Sequence, residues 1–116
     1  MMKVLNKKQK SQRVGNSFYF GEFGDVDLGI SVTEMKRVAD IYKDTKHYHK
    51  ESTEYYLVLE GKVTFEVEGK LVEINQQQTL MVEAGEEHWL VEVKKLPCTI
   101  ISISSKKLLN DKVVVS

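Results

Sequence analysis

Hydrophobic and polar residues alternate along this chain in short runs, each closed by a turn residue. Val63, Phe65 and Val67 alternate with Thr64, Glu66 and Glu68, the period of two that gives a strand one buried face. Similar apolar runs are Phe18 to Phe20, Leu28 to Val38 (one strand or two), Thr53 to Leu59, Leu71 to Ile74, Thr79 to Val82, His88 to Val93, Thr99 to Ser104 and Val113 to Val115. Gly21 with Gly24, Glu60-Gly61 and Glu68-Gly69 read as turns between them. No segment carries a helical stripe over ten or more residues; Lys106 to Lys112 predicts one helical turn at most. About nine short strands predict an all-β sandwich or barrel, with a jelly roll as one standard way of managing the sheet edges.

Composition narrows this picture. The 116 residues suit one compact domain, 1–116, and leave no room for a second. Hydrophobic residues make up 41% and charged residues 29%, enough to bury a core without added staples. Seventeen basic and seventeen acidic residues cancel, which argues against a broad nucleic-acid surface. The basic cluster Lys3, Lys7, Lys8, Lys10 and Arg13 reads as a solvated terminus. No apolar run approaches the roughly 20 residues of a membrane span, and Met1 to Lys10 lacks the apolar stretch of a secretory signal. Cys98 is the only cysteine and reads as a structural thiol. These features together predict a cytoplasmic protein.

The three histidines carry the chemistry. His47 and His49 are two positions apart, so on a strand they share a face, with Cα atoms roughly 6–7 Å apart. Glu54 opens the next apolar run and His88 opens another. Imidazole nitrogens with one carboxylate suit Fe, Mn, Co, Ni, Cu or Zn without selecting among them. Four such ligands on an octahedral ion leave two positions for water or substrate.

His47-Tyr48-His49, four residues, Glu54, six residues and Gly61 resemble the first motif of the cupin family, H-x-H-x4-E-x6-G. Gly85-Glu86-Glu87-His88 resembles the core of the second. The motifs cover roughly residues 43–93. The resemblance implies a small cupin β-barrel, a jelly roll of two antiparallel sheets, holding one divalent metal ion at His47, His49, Glu54 and His88. It also implies a homodimer. The chain departs from the family where Ile41 and Gln77 stand for glycine, Glu83 for proline and Glu92 for asparagine.

Strand parity places Tyr56 and Val58 on the face of Glu54, and Leu90 and Glu92 on the face of His88. Tyr56 is either a hydroxyl near the metal or a core aromatic. An inward Glu92 would be an acid–base residue, the alternative being an open rim. Tyr56 and Glu92 are therefore the candidate catalytic residues. Trp89, Val91 and Val93 fall on the opposite face, covered by the second sheet or by a second copy of the chain. Glu83, Glu86 and Glu87 read as a solvated acidic loop. Three functions follow: a metal-dependent isomerase, epimerase or lyase acting on a small sugar-like or keto-acid substrate; a non-haem iron dioxygenase; and a non-catalytic module that binds a sugar or another small ligand. The first is preferred, because ligand sets with open positions favour catalysis over structure.

Overall fold

The computed structural model describes residues 2, 4–9, 17–20, 28–106 and 110–115, leaving aside the side chains of residues 8 and 9. Among the described residues nine strands run β1 Lys7–Gln9, β2 Ser17–Phe20, β3 Gly29–Met35, β4 His47–His49, β5 Glu54–Val67, β6 Lys70–Ile74, β7 Gln78–Val82, β8 His88–Ser104 and β9 Lys112–Val114. One 3-10 turn, Val38–Asp40, follows β3. Asp40 caps it by accepting the Lys36 and Arg37 backbone N–H groups, both at 3.0 Å. Those bonds, with the nearby Arg37 charge, hold the Asp40 carboxyl below its ordinary range. The stretch read as one strand or two is thus a single strand ending at Met35. No helix among the described residues is long and apolar enough to cross a membrane. Residues 107–109 of the expected 106–112 turn and most of the basic N-terminal cluster lie outside the described residues; Lys112 opens β9, and Lys7 places its Nζ 4.1 Å above the Phe18 ring.

All strand pairs are antiparallel. The two expected layers form as one continuous sheet that curls on itself. The C-terminal part of β8 joins β3 and the first half of β5, with β7 and β2 flanking. The N-terminal part of β8 joins β4 and the second half of β5, with β9 and β6 flanking. Two segments read as strand–turn–strand are therefore continuous. Glu60-Gly61 does not reverse the chain; β5 runs through it, and Gly61 has φ +95° at a break in register. Opposite it, β8 runs through Leu96-Pro97-Cys98, with a cis Leu96–Pro97 peptide. Bulges of this kind bend a strand and let it serve two layers. Between the layers lies an apolar core that includes Met35, Val58, Val63, Phe65, Ile74, Val82, Leu90, Cys98 and Ile100. Burial pushes the Cys98 thiol up to about 11, as befits a structural cysteine.

A second bulge corrects the parity argument for β8. Phe65 pairs with Leu90, but Thr64 pairs with Glu92, so Val91 is an extra residue. Leu90 is buried, Val91 and Glu92 are both exposed, and Val93 packs on the core. Glu92 therefore does not face the interior, and the row Trp89, Val91, Val93 is broken. The half-buried Trp89 directs its Nε1–H to Glu66 Oε1 at 3.3 Å.

Candidate metal centre

The pairing of β4 with β8 sets His47 directly opposite His88, and the two rings lie 4.3 Å apart between centroids. His49 follows on the same face of β4, 5.4 Å from the His47 ring. Glu54 enters from the start of β5, beside the C-terminal end of β8. The four side chains predicted to converge do so: one ligand atom from each of His47, His49, Glu54 and His88 lies within 4.8 Å of all the others. Among them His88 is fully buried and His49 is the most open, its side chain 14% exposed.

The outer ring nitrogens are all engaged. His47 Nδ1 lies 2.7 Å from the Thr45 carbonyl. His88 Nδ1 lies 2.9 Å from the Glu86 carbonyl. His49 Nδ1 lies 3.3 Å from Asp111 Oδ2. A histidine whose Nδ1–H is held by a carbonyl or a carboxylate presents its Nε2 lone pair on the other side, the arrangement that orients metal-binding histidines. The acidic loop is thus more than a solvated patch. The Glu83–Glu86 turn, closed by Glu86 N–H to the Glu83 carbonyl at 3.1 Å, supplies the carbonyl that aims His88.

The fit of a cation can be tested on His49 Nε2. This atom is buried, and it directs no hydrogen bond at any group although Glu54 Oε1 is 2.9 Å away. Buried polar atoms without a partner are uncommon. A cation shared with Glu54 would satisfy it, and metal–nitrogen and metal–oxygen bonds of about 2.0–2.2 Å suit a cluster of this spread. The donor set therefore fits a divalent ion of the first transition row or zinc.

Glu54 organises the rest of the site. Its Oε1 accepts the Tyr56 hydroxyl at 2.6 Å and lies 3.4 Å from His88 Nε2, while its Oε2 accepts the Ser102 hydroxyl at 2.8 Å. Burial disfavours its charge, but the contacts with His49, His88 and Tyr56 outweigh this and hold its carboxyl well below the usual range. Burial also disfavours a charged His49, yet Glu54 and Asp111 raise it above its ordinary value. His47 is lowered, mainly by burial and by the nearby His88. Burial and the Glu54 charge push the Tyr56 phenol well above its ordinary value. Both readings of Tyr56 thus describe one residue: its ring stacks 4.6 Å from Phe65 in the core, and its hydroxyl lies 3.0 Å from His88 Nε2. Asp111 and Ser102 complete the centre and carry no motif signal. Glu92, exposed beyond its bulge, is not among the residues gathered here.

The departures from the motif have local accounts. Ile41 has an extended backbone (φ −72°, ψ 120°) and packs on the core, so no glycine is required there. Gln77 keeps the left-handed conformation, φ +66°, that a glycine would adopt without cost. Glu83 uses a backbone N–H that proline lacks, donating it to Glu86 Oε1 at 2.8 Å.

Comparison with known proteins agrees with this architecture. A structure from Planctomyces limnophilus is 19% identical with a TM-score of 0.69, covering 97% of this chain and 96% of that one. Streptomyces Pac13, described as a nucleoside dehydratase, is 13% identical with a TM-score of 0.64, over 96% of this chain and 84% of its own. KdgF from Halomonas is 12% identical with a TM-score of 0.63, over 91% and 89%. At these identities the likeness is one of fold. No curated protein sequence matches the chain. The sequence model of the cupin domain matches residues 41–104, more than half of the 116 residues and the whole of the histidine and glutamate cluster, and the chain belongs to the cupin family.

Proposed function

We propose that this cupin is a metal-dependent enzyme that isomerises, epimerises or eliminates from a small polar substrate, with one divalent ion held by His47, His49, Glu54 and His88. The carrying observation is the common orientation of the three imidazoles. Each Nδ1 faces a carbonyl or carboxylate, and the Nε2 of His49 is buried with no hydrogen-bond partner. When bound, such an ion supplies Lewis acidity toward a substrate carbonyl or hydroxyl oxygen. The chain supplies the rest. Glu54 remains ionised and fixes the Tyr56 and Ser102 hydroxyls. Tyr56 keeps its proton on Oη at neutral pH, because burial and the Glu54 charge resist its loss. Its hydroxyl donates to Glu54 Oε1 at 2.6 Å, which assigns it to holding that carboxylate in place. The likeness to Pac13 is consistent with lyase chemistry on this fold and does not carry the reading. The proposal includes a cytoplasmic location and a second copy of the chain as partner, seated on the apolar outer face of the sheet discussed below.

Elemental analysis of protein purified without chelators tests the metal. One first-row transition or zinc ion per chain is expected, falling to a small fraction in His49→Ala. Stoichiometric metal retained by His49→Ala would remove the assignment. Iron together with oxygen consumption would move the reaction class to a dioxygenase. A metal-bound protein that binds a sugar without altering it would move the chain to the binding modules.

A further inference from the structure

The inner face of the barrel changes character along its axis. At one end Met35, Val58, Cys98 and Ile100 are buried and apolar. Toward the metal centre the same face becomes hydroxylic. Tyr19 of β2 pairs with Ser31 of β3, Ser31 with Ser102 of β8, and Ser102 with Tyr56 of β5. Residues directly opposite in antiparallel strands share a face. Ser102 and Tyr56 both reach Glu54, so this face is the inner one. The row places four hydroxyls on four neighbouring strands. At a strand spacing of about 4.8 Å it spans roughly 14 Å, enough to meet several groups of one substrate.

We propose that Tyr19, Ser31, Ser102 and Tyr56 form the wall of a binding site for an uncharged polyhydroxylated substrate, a free sugar or polyol whose reacting end meets the His47, His49, Glu54 and His88 cluster. Tyr56 and Ser102 give their protons to Glu54 and turn lone pairs to the substrate, while a serine hydroxyl such as that of Ser31 can both donate and accept, as each hydroxyl of a polyol can. Such pairing leaves no buried polar group unmatched on either side. Away from the metal cluster, the charge balance of the wall selects against an anionic group. The rows flanking the wall hold Ser17, Thr33, Ile100 and Val58 on one side and Gly29, Ser104, Glu54 and Val82 on the other. The single charge in these rows is the Glu54 carboxylate, and no lysine or arginine stands among them. A phosphorylated sugar would meet this wall with its charge uncompensated. The substrate class therefore narrows from any small polar molecule to a neutral polyol.

This inference rests on the metal-centred reading, and its test separates the two. Saturation-transfer NMR on the metal-loaded chain would use a panel of aldoses, ketoses and alditols, the matching sugar phosphates, and pyruvate as a keto acid. Binding of at least one neutral sugar or alditol, in preference to its phosphate, is expected. Ser31→Ala, which removes one hydroxyl away from Glu54, should weaken that binding about three- to tenfold with metal content unchanged. Tyr19→Phe should do the same from the far end of the row. Preference for the phosphates or pyruvate, or no binding by any neutral member, overturns the substrate class. Equal binding by wild type, Ser31→Ala and Tyr19→Phe overturns the wall while leaving the metal reading intact. If the wild type takes up no metal, the metal reading fails. The wall then stands if the metal-free protein binds a sugar that Ser31→Ala weakens, and falls if it does not.

Discussion

His49 reaches the candidate metal centre with its Nδ1 set 3.3 Å from the buried carboxylate of Asp111, contributed by the turn before β9. The carboxylate is itself held, because Asp111 Oδ1 accepts the Glu51 N–H at 2.8 Å and the Asp111 carbonyl accepts the Lys50 N–H at 3.0 Å. The C-terminal segment thus orients a ligand that the first motif supplies. Asp111→Asn can keep the Glu51 bond but removes the charge facing His49. Metal affinity should fall about 10- to 100-fold, measured by competition with a chromophoric chelator, while the far-ultraviolet circular dichroism stays that of the wild type. An unchanged affinity would reduce Asp111 to a loop anchor.

The bend that lets β5 and β8 serve both layers depends on a close backbone approach. A Cβ on Gly61 would stand 2.7 Å from the Lys95 carbonyl oxygen and 2.8 Å from Cys98 Cα and Cβ, and the residue has φ +95°. Gly69, in the β5–β6 turn, also has a positive φ of +78°, but nothing lies within 4 Å of its Cβ position. Gly61→Ala should therefore cost about 3 kcal/mol, the left-handed backbone and the steric overlap together, and Gly69→Ala about 1 kcal/mol from the backbone alone. Thermal melts should show falls of about 10 °C and about 4 °C. Equal falls would mean that the Gly61 contact relaxes freely.

Legibility in the sequence followed the kind of information each feature needs. The gathering of His47, His49, Glu54 and His88 was readable because the cupin motifs restrict residue types at those positions, and strand parity fixes how His47 and His49 converge. The alternation over Val63–Val67 likewise announced a buried strand face. Parity failed at Glu92, because the extra residue Val91 resets the alternation and leaves no mark in composition. Glu60-Gly61 reads as a turn but lies inside a continuous strand, since local propensity does not reveal a bulge supported from across the sheet. Asp111 and Ser102 were silent for another reason. Each matters only through a partner far along the chain, which registers of β4 with β9 and β5 with β8 bring near.

Gln77 is a place where the chain carries an avoidable cost. It holds φ +66°, a conformation that L-residues disfavour by about 1–2 kcal/mol. Its backbone N–H donates to the Val58 carbonyl at 2.6 Å, a bond that any residue other than proline keeps. Its side chain is exposed. Gln77→Gly relieves the backbone and loses about 0.5–1 kcal/mol to the greater freedom of the unfolded chain. The net gain should be about 0.5–1 kcal/mol, seen as a melting temperature higher by about 2–4 °C. A lower melting temperature would place the Gln77 side chain in a contact that outweighs its backbone.

The outer face of the layer containing β2, β3, β8, β5 and β7 carries two apolar rows of its own. Phe18, Val32, Ile101 and Leu57 lie side by side in one row, and Ile30, Ile103, Tyr55 and Met81 in the next. Tyr55 is 37% exposed and Met81 52%, and neither row contains a charged residue. A contiguous apolar face of this kind is unusual on a monomer. With Lys7, whose Nζ lies 4.1 Å above the Phe18 ring, at its edge, such an apolar face can pack against a copy of itself across a two-fold axis. Light scattering coupled to gel filtration should give twice the chain mass for the wild type. Ile101→Glu, at the centre of the face and away from the core, should give the mass of one chain with metal content unchanged. A monomeric wild type would remove the proposed partner, and a dimeric Ile101→Glu would move the interface to another surface.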